Sequence, residues 1–194
     1  MSDETWLIVG LGNPGPKYAA TRHNVGYLVA DEIGDRVGAK WRKHKSGRAD
    51  VIEARLGGIP GVRVVLMRAR SYMNESGGPV SAVAKFYDVA PERIVAIHDE
   101  LDLDFGRLRV KYAGGDNGHN GLRSMRQSLG TGDFYRVRFG IGRPPGRQPT
   151  ADFVLRAFAA TERTDLPYEV GRAADATESV ILRGLANTQS EYNG

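Results

Sequence analysis

The sequence predicts an α/β fold: a single domain in which a twisted mixed β-sheet is flanked by helices on both faces. Three features predict it. Apolar strand-like runs alternate with stretches of helical period from Trp6 to Ile141. Ile94 to Ile97 is apolar throughout, the pattern of a central strand covered from both sides. Ala49 to Leu56 and Val62 to Met67 flank the turn Gly57-Gly58-Ile59-Pro60-Gly61, an antiparallel hairpin that makes the sheet mixed.

In chain order, Trp6 to Leu11 is a buried first strand. Asn24 to Val37 is a helix with Val25, Leu28, Val29 and Ile33 on one stripe, and Gly38 suits its C-terminal cap. Trp41 to Gly47 is a basic loop leading to the hairpin. Ser71 to Gly78 is a loop, and Pro79 fits the first turn of a helix to about Tyr87, where no backbone N–H is needed. After the central strand comes a strand over Arg107 to Tyr112, then the glycine loop Gly114 to Gly118 and a helix from about Asn120 to Leu129. Tyr135 to Ile141 is the last strand. Pro144, Pro145, Gly146 and Pro149 mark an irregular connector, followed by a short helix over Ala151 to Phe158. A longer helix from about Thr164 puts Val170, Ala173, Ala174, Val180 and Ile181 on one face, and the polar tail after Leu185 is expected to be loose.

Composition excludes several function classes. The 194-residue chain has no cysteine, which removes disulfide frameworks, thiol nucleophiles and thiolate metal sites. No apolar run approaches the ~18 residues of a membrane span, the acidic start MSDET is unlike a secretory leader, and the lack of cysteine fits a cytosolic protein without requiring it. The net charge of +4 is modest, but residues 105–147 are mostly basic, which suits a polyanionic partner.

Gly10, Gly12 and Gly15 match G-x-G-x-x-G after the first strand, yet this is not a dinucleotide site. Such a site needs a helix to begin at the loop, with its N-terminus on the pyrophosphate. Pro14 and Pro16 instead impose turn geometry, and helical pattern resumes only near Asn24. A glycine-lined loop remains, carrying one amide (Asn13) and leading to a histidine (His23).

Polar residues beside strand ends are the candidates for chemistry: Asn13, His23 with Asn24, the loop Tyr72-Met73-Asn74, His98-Asp99, and His119-Asn120. Each has an ordinary reading too. Asn13 suits a turn and Asn24 suits a helix cap. Asp99 follows an apolar strand and is favoured over His98, since alternation turns the two in opposite directions. There is no G-x-S-x-G elbow, phosphate-binding loop or H-E-x-x-H spacing, and Asp99, Asp102 and Asp104 lack the rest of a calcium loop. What is left is histidine–aspartate acid/base chemistry on water, with amides to hold a developing oxyanion.

The chain resembles the bacterial peptidyl-tRNA hydrolase family through GLGNPGPKYAATRHNVG, SYMNESG, HDELDLDFGRLRVK, GGDNGHNGLRSM and FYRVRFGIGRP, in the same order over most of residues 7–145. The C-terminal third is similar only in general character. The resemblance implies an enzyme that cleaves the ester between a peptide and the terminal ribose of tRNA, recycling tRNA from abortive translation. It implies a cytoplasmic monomer needing no metal or cofactor. It also implies His23 as general base and Asp99 as its orienting carboxylate. Asn13 and Asn74 are then contacts to the scissile region and peptide, Asn120 holds water or peptide backbone, and Met73 and Tyr18 line the cleft. Lys111 and Arg138 match positions linked to tRNA. Asp116 and Asn117 depart from the small residues common in the glycine loop, which puts its mobility and charge in question.

From the residues themselves, Arg107, Arg109 and Lys111 share one strand face, as do Arg136 and Arg138, so both rows can grip phosphates without reading sequence. The segment 144–160 is either a hinged lid or ordinary core packing, with Phe153, Val154 and Phe158 as its apolar cover. Rival readings are a non-enzymatic RNA-binding domain, a general small-ester hydrolase and a dinucleotide enzyme. Retention of His23, Asp99, Asn13, Asn74 and Asn120 together argues against the first.

Overall fold

In the computed structural model, which describes residues 4–194, seven strands form one sheet; the first three residues of the acidic start lie outside it. The strands are β1 (Trp6–Gly10), β2 (Arg42–Lys43), β3 (Ala49–Leu56), β4 (Val62–Ala69), β5 (Ile94–Glu100), β6 (Leu108–Tyr112) and β7 (Tyr135–Gly140). The helices are α1 (Val25–Arg36), α2 (Gly77–Phe86), α3 (Asn120–Leu129), α4 (Thr150–Val154), α5 (Ala160–Arg183) and α6 (Leu185–Tyr192). Strand order is β2-β3-β4-β1-β5-β7-β6. The middle strands β4, β1, β5 and β7 are parallel, and antiparallel pairs β2–β3–β4 and β6–β7 close the two edges.

Period two in the strands divides the core. Ile8, Leu66, Val95, Ile97 and Val137 face α1 and α5, meeting Val29, Ile33, Ala173 and Val180. Leu7, Val9, Val65, Met67 and Ala96 face the other way, meeting Val80 and Val83 of α2 and Leu122 and Met125 of α3. Apolar surface on both faces is thus removed from water, as the sequence predicts. All seven residues of β5 are buried.

Two glycines draw α1 onto β1. A methyl at Gly26 would collide with the Ile97 carbonyl oxygen and sit 2.6 Å from the Leu11 nitrogen; one at Gly10 would collide with the Gly26 carbonyl. The first glycine of the failed nucleotide fingerprint, Gly10, therefore serves close helix–strand contact. This contact sets the turn carrying His23 above β1 and β5. Gly26→Ala should destabilise the fold by about 1–3 kcal/mol, the usual range for overpacking a tight core, measurable as a lower denaturation midpoint.

The structure corrects several expectations. β5 extends past Ile97 to Glu100, because His98, Asp99 and Glu100 continue to pair with Arg138–Gly140 of β7. The long helix begins at Ala160 rather than near Thr164, since the Glu162 carboxylate accepts the Ala159 N–H at 2.9 Å. The short helix is only Thr150–Val154. The expected loose tail 186–194 contains α6, which docks on edge strand β6. Asn193 Oδ1 accepts the Val110 N–H at 2.8 Å, while Gln189 Nε2 and Asn193 Nδ2 donate to the Val110 carbonyl at 3.0 and 3.1 Å. These side chains satisfy an open strand edge, while Leu185 and Tyr192 pack against the core, so both hydrogen bonds and apolar contact order the tail.

Candidate active site

Strand order turns back at β1: β4 lies on one side and β5 on the other, the place where open α/β sheets leave a crevice beyond their strand ends. The loop after β1, the turn after β4, the end of β5 and the start of α3 converge there. Asn13 is the hinge pin of the convergence. Asn24 Oδ1 accepts the Asn13 N–H and Asn24 Nδ2 donates to the Asn13 carbonyl, both at 2.8 Å. Asn24 therefore makes no cap, contrary to its ordinary reading; its buried amide splints the loop instead. Asn13 Oδ1 in turn accepts the Met73 N–H at 2.6 Å. That fixes the amide orientation and leaves Nδ2 as its donor.

His23 lies on the 3-10 turn Arg22–Asn24. Its Nδ1 is 2.8 Å from Asp99 Oδ2, and its side chain is 13% exposed. The other Asp99 oxygen, Oδ1, is 2.8 Å from His119 Nε2. Burial works against the charge of Asp99, but His23 and His119, facing it from two sides, outweigh burial and hold it well below the usual carboxylate range. An ionised carboxylate only accepts, so both imidazoles donate to it. Burial pushes His23 down; the Asp99 charge and hydrogen bond push it up and win, so it sits above its ordinary value of 6.5. His98 takes the opposite course. Buried, and next to His119, it is lowered to about 3, and its Nδ1 meets only its neighbour's carbonyl at 2.8 Å.

His119 is where the sequence is least informative. It precedes α3 and caps it: Nδ1 accepts from the Gly121 and Leu122 N–H groups at 3.1 and 3.3 Å. Nothing in its sequence context marks it as a partner of Asp99. The ligating atoms of His23, Asp99 and His119 lie within 4.8 Å of one another. They do not form a cation site, because a histidine whose Nδ1 accepts two backbone donors keeps its proton on Nε2 and has no lone pair there.

His23, Asp99, His119 and Asn120 line a cavity of about 160 Å³, together with Asn117 and, from the segment 144–160, Thr150, Ala151 and Val154. A larger cleft of about 280 Å³ lies beside Asn13 and Asn24, lined by Tyr27, Asp31, Arg68 and Arg70. It holds no histidine–aspartate pair; that pair lies on the wall of the smaller cavity. Met73 is buried, and Asn74 is exposed beside it on the 3-10 turn Met73–Glu75. Tyr18 stacks edge-on against Tyr72, ring centres 6.0 Å apart, outside the cavity wall. Of the expected site residues, His23, Asp99 and Asn120 therefore share the cavity, whereas Asn13, bonded to the Met73 N–H, lines the larger cleft, and Met73, Asn74 and Tyr18 are not on the wall of the smaller one.

The glycine loop is tied down by its two unusual residues. Asn117, with φ of 48°, donates from Nδ2 to Glu100 and Asp102, both at 2.7 Å, and Asp116 pairs with Arg126. The segment 144–160 packs firmly as well: Phe153 and Phe158 are in the core, and the Arg22 guanidinium sits 3.9 Å over the Phe153 ring while donating to its carbonyl.

The basic rows fare unevenly. Arg136 is fully buried, not a phosphate contact: it donates to the carbonyls of Gly132, Phe134 and Gly114 and stacks on Phe134. Arg138 gives its Nε to buried Glu100 at 3.0 Å. Lys111 is half-buried, and burial, then the charges of Arg138 and Arg136, lower its pKa. Arg107 and Arg109 are exposed.

A histidine–aspartate pair on the wall of a small cavity, beside the switch point of a mixed sheet, marks a single-domain α/β protein equipped for acid–base chemistry. A family model described as peptidyl-tRNA hydrolase matches residues 7–194. The chain belongs to the peptidyl-tRNA hydrolase family. It is 57% identical to a peptidyl-tRNA hydrolase of Streptomyces coelicolor over 190 residues, covering 97% of this chain and 94% of the relative. It is also 57% identical to that of an Arthrobacter strain, covering 98% and 97%. The crystal structure of peptidyl-tRNA hydrolase from Acinetobacter baumannii superposes with a TM-score of 0.88 at 34% identity, covering all of this chain and 96% of that one.

Proposed function

We propose that this protein hydrolyses the ester between a peptide and the terminal ribose of tRNA, with His23 as general base. The observation that carries the reading is the 2.8 Å contact from His23 Nδ1 to Asp99, at the wall of the cavity. With Nδ1–H committed to Asp99, Nε2 is the nitrogen left to take a proton from water. The water oxygen attacks the ester carbonyl, and Asp99 stabilises the imidazolium that forms. The tetrahedral intermediate expels the ribose oxygen, which takes that proton back from Nε2, leaving tRNA and the peptide carboxylic acid, which gives its remaining proton to solvent. Asn120, on the cavity wall, is the amide donor for the oxyanion or the water, and the Nδ2 group of Asn13, at the larger cleft, is a donor for the peptide; Asn74, Met73 and Tyr18 contact the peptide beyond them. No cofactor enters the scheme.

We assign the tRNA phosphates to Lys111 and Arg138, and place the enzyme in the cytoplasm as a monomer acting on peptidyl-tRNA from abortive translation. No described helix is long and apolar enough to cross a membrane. Removing Arg138 would strand buried Glu100, so Lys111→Gln is the cleaner probe. It should raise KM for N-acetyl-aminoacyl-tRNA several-fold at low salt, reduce the salt slope of affinity by about one, and leave a short ester mimic unaffected. Equal effects on both substrates would contradict the phosphate assignment. Comparable wild-type activity on simple esters, insensitive to salt, would favour a general esterase instead.

A further inference from the structure

The hydrolytic scheme above leaves His119 without a task, yet the structure constrains this side chain tightly. It is buried at the start of α3, with ring centres 5.2 Å from His23 and 5.0 Å from His98. Two backbone N–H groups point at its Nδ1, and an N–H can only donate. The ring proton is therefore on Nε2, aimed at Asp99 Oδ1. Protonating Nδ1 as well would break both cap bonds. Packing closes the remaining freedom: even a methyl at Gly121 would sit 2.6 Å from Met73 Sδ and 3.0 Å from His119 Cε1.

We propose that His119 is a positioning residue for the hydrolysis. Locked as the Nε2–H tautomer by the backbone of α3, it binds one oxygen of Asp99 so that the other oxygen can only face His23. Asp99 then holds His23 with its proton on Nδ1 and its Nε2 lone pair toward water. Without that donor the carboxylate can rotate or share both oxygens with His23, and the base loses a single orientation. The other titratable groups around the ring are His98, deprotonated within the core, and Glu100, engaged by Arg138 and Asn117. Neither can replace the bond to Asp99 Oδ1. This inference rests on the reading of His23 as the base.

Two substitutions separate the two bonds of the ring. Asparagine puts a carbonyl oxygen near the place of Nδ1, keeping the helix cap but losing the donor to Asp99. Glutamine carries its amide nitrogen out toward the place of Nε2, keeping that donor but losing the cap. The experiment measures kcat, KM and the pH dependence of kcat/KM on N-acetyl-aminoacyl-tRNA, together with thermal melting and 15N imidazole spectra of His23. His119→Asn should melt like the wild type with little change in KM, while kcat falls on the order of ten- to a hundred-fold, as for a misaligned reacting group. Its acid limb should move to higher pH, because the Asp99 charge concentrates on the His23 imidazolium, and its His23 spectrum should show mixed tautomers. His119→Gln should melt lower yet keep the wild-type acid limb and most of kcat. Wild-type kcat and acid limb in His119→Asn would overturn the proposal, as would activity lost in both variants only in step with stability. Activity surviving in His23→Ala would instead remove the underlying reading of the base, so the two failures are distinguishable.

Discussion

His23→Ala will release free tRNA from N-acetyl-aminoacyl-tRNA about 10⁴-fold more slowly than the wild type, the upper end of what one acid–base group contributes. The expectation rests on position and on the absence of substitutes. His23 is the one histidine with a ring nitrogen left to accept a proton in the cavity. Nε2 of His119 is occupied by its proton, and His98 is buried behind the strand, its Nδ1 bound to a backbone carbonyl. KM should change little, since His23 is not assigned to phosphate or peptide contacts. Near-native circular dichroism of the variant, compared with its rate, checks that the loss is chemical.

Asp99→Asn will retain the shape of the site and still lose roughly 10³-fold in kcat. The introduced amide has one oxygen and one NH₂, whereas the site presents two N–H donors, His23 Nδ1 and His119 Nε2. His119 cannot yield, because its Nδ1 is fixed as an acceptor by α3. The amide oxygen therefore goes to His119, and the NH₂ faces His23. This turns the His23 imidazole to the tautomer protonated on Nε2, which cannot accept a proton from water. The variant's residual rate should exceed that of His23→Ala, since a minor population keeps the productive tautomer. A rate equal to the wild type would show that the carboxylate is not needed to hold the base.

Much of the fold was legible in the sequence, because period-two and helical patterns report directly on which faces are covered. The central strand and the hairpin follow from apolar runs and turn chemistry alone. His23, Asp99 and the asparagines were legible as polar residues at strand ends, where this sheet type places its crevice. What escaped depends on contacts between distant segments. Arg136 shares a face with Arg138, and periodicity cannot tell that the carbonyls of Gly114, Gly132 and Phe134 close around one and not the other. Asn24 looks like a cap until Asn13 is seen to need both of its backbone groups satisfied. His119 becomes a partner of Asp99 only when α3 is set against the end of β5. The tail is held in part by three hydrogen bonds to one residue of an edge strand, Val110, which no hydrophobic pattern reports.

The central claim is that one imidazole, raised above its ordinary pKa by Asp99, activates the water. Below that pKa His23 carries a proton and cannot act as a base, so kcat/KM must fall as pH drops through it; Asp99, held low, stays ionised throughout. The most direct measurement is the pH profile of tRNA release by the wild type and by His23→Ala, without added metal. A single acid limb centred above pH 6.5 in the wild type, absent from the residual rate of the variant, is the predicted result. A limb that persists unchanged in His23→Ala would place the base on another group and contradict the account.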